Sequence, residues 1–274
     1  MRLTNKVAVI TGAARGIGRA TAVRVAAEGA DLVLLDIARD VTEVPYPLGS
    51  KRQLLETARL AEQHGAAVIP VVADVRDQAA LDEAVAAALD RFGRLDILVN
   101  CAGVAAPSGQ AVHEITDEEW SVLLDIDLTG AWRALRAVAP HLLAQRAGSI
   151  INVSSTAGLV GYRNFAAYVT AKHALVGLTR AAALDYGPLG VRVNALCPGS
   201  VRDDPRWEGR MLSEIARSLR APVAEHESLF VQAQPMNRLI EAADVAGAAV
   251  WLASDDAGQV TGAVITVDGG FSAR

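Results

Sequence analysis

Cysteine is nearly absent: Cys101 and Cys197 are the only two in 274 residues, far apart and without a CxxC or His-rich context. That usage points to neither a disulfide framework nor a zinc site, so no metal is expected and a reducing, cytoplasmic home is. Aromatic residues are scarce at 4%, against 51% hydrophobic residues in all, which predicts a core of Ala, Val, Ile and Leu between helices and a parallel sheet. No apolar stretch reaches about 18 uninterrupted residues, and the amino-terminal Met1-Arg-Leu-Thr-Asn-Lys6 is too polar for a secretory signal, so a soluble chain with no membrane partner is expected. Positive charge is not in excess. A net charge of -5 and a pI near 5.6 argue against nucleic acid as a partner. Internal repeats, low-complexity tracts and linker-like stretches are missing too, which leaves one α/β domain over residues 1–274 as the expected organisation.

What is present begins with a strand, a glycine turn and a helix. Lys6-Val-Ala-Val-Ile-Thr11 is apolar, and Gly12-Ala-Ala-Arg15-Gly16-Ile17-Gly18 follows at once, before a helical run to Gly29. Such a turn brings backbone close to a pyrophosphate, while the helix amino terminus presents free N–H groups and a positive dipole end. Gly12, Arg15, Gly16, Ile17 and Gly18 are therefore candidate cofactor contacts; a plain tight strand-to-helix connection is the alternative. The next strand, Asp31-Leu-Val-Leu-Leu-Asp36, ends 18 residues after Gly18 in a carboxylate able to accept both ribose hydroxyls. That favours NAD, because a 2′-phosphate would be repelled by Asp36 and Ile37 beside it offers no positive charge. Arg15 is a contrary hint, and the bland reading of Asp36 is a strand-end turn residue.

The stretch 37–50 contains Pro45, Tyr46 and Pro47 and reads as an inserted loop, a surface excursion near the adenosine end; a partner-binding or cofactor-retaining role is the other reading. A helix from Lys51 to Gln63 resumes the alternation. Strands at Ala67 to Ala73 and Leu95 to Val99 follow, with Asp77 capping the helix between them, and a long helix is expected from Asp117 to about Gln145. Val191 to Leu196 leads into Cys197-Pro198-Gly199-Ser-Val201 at the same carboxyl edge, and Ala263-Val-Ile-Thr-Val-Asp268 closes the sheet. Residues 202–235 lack this rhythm and carry Trp207, Met211, Leu212, Leu219 and Phe230; a substrate lid and an extra packed helical layer both fit.

Chemistry concentrates between Ser155 and Lys172. The run Ser149-Ile-Ile-Asn-Val-Ser154 reads as a buried strand whose carboxyl end delivers Ser155, and Tyr168 and Lys172 stand four apart on one face of a helix from Asn164 to Tyr186. A phenol with pKa about 10 is a poor base at neutral pH, and lowering it by about three units takes about 4 kcal/mol. One ammonium about 5 Å away at an effective dielectric of about 20 gives roughly 3 kcal/mol of that. Lys172 with a cationic oxidised nicotinamide would supply the help, and Ser155 would hold the substrate oxygen as charge develops on it. A Tyr and a Lys at this spacing are also ordinary helix neighbours; the rest of the chain decides against that.

With these residues laid out, the chain resembles the classical short-chain dehydrogenase/reductase family from about residue 3 to 271. The resemblance rests on Thr11-Gly-x-x-x-Gly-x-Gly18, Asp36, Asp74-Val75, Asn100-Cys-Ala102-Gly103 (a near-match to Asn-Asn-Ala-Gly), Ser155, Tyr168-x-x-x-Lys172 and Pro198-Gly199. It implies a Rossmann-type doubly wound, seven-stranded parallel sheet with three helices on each face, and a homo-oligomer, with a tetramer favoured over a dimer. It also implies that Asp74 and Val75 flank the adenine, that Asn100 lines the cofactor, and that Lys172 binds the nicotinamide ribose as well as activating Tyr168. Ala102, Gly103, Pro198, Gly199 and Val201 complete the cofactor-side set.

Two positions depart from the family pattern. Asp127 stands where the family has an Asn that holds a water beside the lysine, and Asp203 stands where it commonly has a Thr that bonds the nicotinamide amide; an Asp could accept from that amide. The Val44-Pro-Tyr-Pro-Leu48 insertion is similar to that of a subgroup acting on terpenoid or alicyclic alcohols, such as carveol dehydrogenases, often linked to mycofactocin, in which the nicotinamide is retained tightly. The expected function is an NAD-dependent oxidoreductase interconverting a small secondary alcohol, apolar and cyclic or terpenoid, and its ketone, with Ser155, Tyr168, Lys172 and Asp127 at the catalytic end. A non-catalytic NAD-binding sensor or scaffold of the same fold is the alternative that Asp127 and Asp203 keep open.

Overall fold

The strands inside the sheet are buried on both sides, because side chains alternate across the pleat and each face meets its own layer of helices. Ala8, Ile10, Leu32, Leu34, Ile97, Val99 and Ile151 enter one core, whereas Val7, Val9, Val33, Leu35, Leu98 and Ile150 enter the other. The computed structural model describes residues 1–222 and 226–273. In chain order the elements through the fourth strand are β1 (Val7–Thr11), α1 (Gly16–Ala27), β2 (Asp31–Asp36), α2 (Lys51–Glu62), β3 (Val68–Val72), α3 (Gln78–Phe92) and β4 (Ile97–Asn100). Then come α4 (Asp117–Leu124), α5 (Gly130–Gln145), β5 (Gly148–Val153), α6 (Ala166–Tyr186), β6 (Val191–Pro198), α7 (Met211–Ser218), α8 (His226–Gln232), α9 (Ala242–Ala253) and β7 (Val264–Val267).

Among the described residues the sheet has seven strands in the order β3-β2-β1-β4-β5-β6-β7, all paired in parallel. Helices α1, α2 and α9 cover one face and α3, α5 and α6 the other, as expected for a doubly wound fold. The order reverses between β1 and β4, and the carboxyl ends there open a crevice, the usual ligand position of such sheets.

Helix starts follow local chemistry. Asp77 accepts from Ala79 N and Ala80 N at 3.0 and 3.3 Å and starts α3 as its sequence position predicts. Ser50 and Gln53 form a reciprocal capping box on α2, and Thr116 and Glu119 form one on α4.

Two features differ from the sequence expectation. The long helix expected from Asp117 to Gln145 is interrupted by a π-helical turn at Asp125–Thr129, in which Gly130 N–H reaches back to Asp125 O. A widened turn of this kind rotates side chains out of helical register, here turning Asp127 into the protein; the residue types carry no signal for it. The insertion 37–50 is not a surface excursion either. Val41, Val44 and Tyr46 are buried against Val75, Val104, Val122, Leu123 and Ile126, and the Tyr46 hydroxyl accepts from Ala105 N at 3.2 Å. The prolines rule out a helix, but the apolar residues between them still need a core, and they find it beside the crevice. In 202–235, α7 and α8 form two short helices; Leu212 and Ala216 of α7 are packed, as is part of Trp207 in the turn before it, and residues 223–225 of that stretch lie outside the described residues.

Leu34→Ala, at a fully buried position in β2, is expected to destabilise the fold by about 2–5 kcal/mol. Leu55→Ala, on the exposed side of α2, should change stability by less than about 0.5 kcal/mol. Denaturant midpoints of the two variants compare them directly.

Candidate active site

Every strand from β1 to β6 except β3 ends at the rim of one cavity of about 460 Å³, and β3 contributes through Ala73, Asp74 and Val75 just beyond it. Its lining includes the expected Gly12, Arg15, Gly16, Ile17, Gly18, Asp36, Asp74, Val75, Ala102, Gly103, Ser155, Tyr168, Lys172, Pro198, Gly199 and Val201.

At one end, the amino terminus of α1 carries no side-chain cap and no acidic residue in its first turn, so its free N–H groups face the cavity. Gly18 lets the turn close: a Cβ there would lie 2.0 Å from Gly12 O. Arg15 also lines this end, its guanidinium making no hydrogen bond or ion pair among the described residues, and burial pushes its pKa down. A half-buried cation without an anion and an uncapped helix terminus are what a pyrophosphate needs. Asp36 accepts from Ala14 N at 3.0 Å through one oxygen and from Ala38 N at 3.1 Å through the other. Each oxygen keeps a second lone pair for a ribose hydroxyl. Burial raises the Asp36 pKa, and these two N–H donors and Arg15 oppose the rise. The residues present thus fit NAD.

At the other end, Ser155 leaves β5, its Oγ accepting from Ala157 N at 3.1 Å, and its hydroxyl acts to lower the Tyr168 pKa. Lys172 Nζ lies 5.5 Å from the centroid of the Tyr168 ring, donates to Val153 O at 3.3 Å and stands 3.6 Å from Asp127 Oδ2. Asp127 is 1% exposed; its Oδ1 accepts from Val104 N at 2.7 Å, and Oδ2 has no closer partner than Lys172 among the described residues.

These charges work against one another. Burial pushes the Asp127 carboxyl above the usual carboxylate range, and Lys172 pulls it back. Burial opposes the Lys172 ammonium too, but Asp127, with Tyr168 and Cys101, outweighs it and raises the Lys172 pKa. For Tyr168 burial comes first; Lys172 lowers its pKa and Asp127 raises it, with a net upward shift. The help from Lys172 follows from the Tyr168–Lys172 spacing, whereas the full burial penalty follows only from the assembled cavity.

Three expectations about individual side chains change. Asn100 is 3% exposed and does not line the cavity: its Nδ2 donates to Ala131 O at 3.1 Å and to Asn152 Oδ1 at 2.9 Å, tying β4 to α5 and β5. A short amide on a central strand meets neighbouring strands and helices before it meets a ligand. Asp127 also lies outside the lining, behind Lys172. Asp203 lines the cavity but both its oxygens serve α7, accepting from Leu212 N at 3.0 Å and Ser213 N at 2.8 Å, where the helix terminus leaves orphan donors. Sequence reasoning missed Tyr46, Leu48 and Gly49 of the insertion and Tyr162 and Phe165 before α6, all on the cavity wall. The inward alternation of Val44, Tyr46 and Leu48 was the available signal.

Comparisons with known proteins bear on this site. A family model described as enoyl-(acyl carrier protein) reductase matches residues 12–272. (-)-trans-Carveol dehydrogenase of Rhodococcus erythropolis is 40% identical over 278 residues, covering 100% of this chain and 99% of its own length. Levodione reductase of Leifsonia aquatica is 38% identical over 272 residues, covering 99% and 96%. The crystal structure of carveol dehydrogenase from Mycobacterium avium in complex with NAD matches with a TM-score of 0.92 at 36% identity, covering 100% of this chain and 99% of that one. That of a short chain dehydrogenase from Mycobacterium paratuberculosis bound to NAD matches at 0.88 and 39% identity, covering 100% of each.

Asp36→Ala would remove the carboxylate oxygens open to the ribose hydroxyls and is expected to weaken NAD binding by about 10- to 100-fold. Equilibrium titration of wild type and variant measures it.

Proposed function

The chain belongs to the short-chain dehydrogenase/reductase family, and from that premise we propose that it interconverts an apolar, cyclic or terpenoid secondary alcohol and its ketone. It is an NAD-dependent oxidoreductase. The observation that carries the proposal is the convergence of Ser155, Tyr168 and Lys172 at one end of a cavity whose other end holds Asp36 and an uncapped helix terminus.

The residues divide the work by position. Ser155 donates to the substrate oxygen and fixes it beside the Tyr168 hydroxyl. Tyr168 takes the alcohol proton during oxidation and returns it to the forming alkoxide during reduction. Lys172 lowers the energy of the phenolate through its charge. Bound NAD supplies the hydride acceptor and, oxidised, a second positive charge near the phenol. Asp127 neutralises Lys172 in the low-dielectric interior and so moderates the help that reaches Tyr168.

The substrate class draws on the names of the relatives and on the cavity lining, to which Tyr162, Phe165, Met211, Leu212 and Ile215 contribute mostly apolar surface. We read residues 202–235 as a substrate lid and 37–50 as an inserted strap that forms one cavity wall and retains the cofactor, as Ile37, Tyr46, Leu48 and Gly49 support. A homo-oligomer, tetrameric by preference, is supported by Trp132 and Leu184, exposed at 41% and 80%, and by strand β7, which among the described residues pairs on one side only. No helix among the described residues is long and apolar enough to cross a membrane, and the two free thiols support a cytoplasmic location. The sensor reading draws nothing from the relatives, which are named as a dehydrogenase and a reductase.

Tyr168→Phe is expected to lower turnover by about 10²- to 10⁴-fold with NAD binding intact; a panel of cyclic secondary alcohols, assayed with free NAD and with an artificial electron acceptor, tests it, and equal turnover in the variant refutes it. Asp127→Asn removes the negative charge that holds the Tyr168 pKa up. Because oxidation needs the phenol as base, its half-maximal pH should then fall. An unchanged pH profile means Asp127 and Tyr168 are not coupled.

A further inference from the structure

Arg19, on α1 directly after the glycine turn, is 2% exposed. Its Nε donates to Ala14 O at 3.1 Å and Thr57 Oγ1 at 3.0 Å, and its Nη2 to Ala14 O at 2.6 Å and Gln53 O at 3.1 Å. All of these acceptors are neutral. The one carboxylate on it among the described residues is Glu208, whose Oε1 lies 3.1 Å from Nη1. Glu208 also binds the side chains of Gln53 and Arg52 on α2. It sits in a left-handed conformation (φ 50°) three residues before α7, next to Trp207, which packs on Ala20, Ala242 and Ala246. A buried guanidinium and an exposed-loop carboxylate thus join three segments that wall the cavity: the glycine turn, the α2 end of the insertion, and the start of α7.

The connection reaches the ribose carboxylate. Arg19 holds the carbonyl of Ala14, and the N–H of the same residue donates to Asp36. Gly49, just before α2, packs so closely there that a Cβ would lie 2.5 Å from Asp36 Oδ1 and 2.8 Å from Ala14 Cβ. The Gln53 and Arg19 contacts hold Glu208 ionised against the cost of burial, with its pKa below the ordinary range. Asp203 caps α7 and fixes its direction, while Glu208 fixes its root to the body of the fold.

We propose that Glu208 is a positioning residue that latches the α7 wall to α1 and α2, and that breaking this latch limits NAD release. The proposal rests on the reading of the cavity as an NAD site. Neither Arg19 nor Glu208 lines the cavity, so the latch acts through the walls and not through contact with the cofactor.

The test follows release of NADH by fluorescence when the loaded protein is mixed with excess NAD. Glu208→Gln, which keeps the shape but removes the charge, is expected to release NADH about tenfold faster, and Glu208→Asp, which keeps the charge but shortens its reach to Arg19 and Gln53, about threefold faster. The hydride step of the loaded Glu208→Asp protein, read in a single turnover, should keep its wild-type rate, a split that general loosening of the fold would not give. Wild-type release rates in a folded Glu208→Gln protein overturn the latch; if that variant does not fold, a wild-type rate in Glu208→Asp overturns it. Absence of NADH binding by the wild type is seen before any variant is made and would refute the NAD-site reading instead.

Discussion

The Lys172 ammonium lies 5% exposed between the Tyr168 ring and the Asp127 carboxylate, and the geometry of the site follows from the need to keep that charge buried. Moving an ammonium out of water costs several kcal/mol even after relaxation. A carboxylate at 3.6 Å returns about 4–5 kcal/mol at an effective dielectric of about 20. The π-helical turn at Asp125–Thr129 places that carboxylate, and Val104 N–H holds its other oxygen. The same negative charge that makes a buried Lys172 tolerable opposes ionisation of Tyr168. Neutralisation and activation therefore draw on one cation, and a cationic nicotinamide, when bound, would add a further charge that favours the phenolate.

Around this point the fold supplies walls of different origin. The strand ends of the sheet make a rigid floor, since β1, β2, β4, β5 and β6 are buried on both faces. The insertion and the α7 segment make the sides, and they are held by particular contacts rather than by the sheet: Tyr46 to Ala105 N, Glu208 to Arg19, Asp203 to the start of α7. A cavity built this way can keep its chemistry fixed while its sides govern entry and release.

The sheet, the helix layers and the convergence of Ser155, Tyr168 and Lys172 were legible in the sequence because they rest on periodicity, on a glycine turn and on spacing along one helix. Asp77 as a helix cap and Asp36 as a strand-end carboxylate were legible for the same local reason. What was not legible depends on long-range packing. The place of Tyr46 is set by Val104, Val122 and Ile126, more than fifty residues away in the chain. Asn100 turns to Asn152 and Ala131 because β5 and α5 lie beside it, and Asp203 is claimed by a helix that starts eight residues later. The burial that raises the Tyr168 pKa is likewise a property of the assembled cavity.

The central claim is that this cavity transfers hydride between a bound alcohol carbon and NAD. The most direct test is a single turnover in which protein loaded with NAD is mixed with a cyclic secondary alcohol carrying deuterium at the carbinol carbon, and NADH absorbance is followed. The account predicts formation of labelled NADH, slowed relative to the unlabelled alcohol by a primary isotope effect. Bound NAD that stays oxidised with every alcohol of a broad panel, with no label transferred, would contradict it.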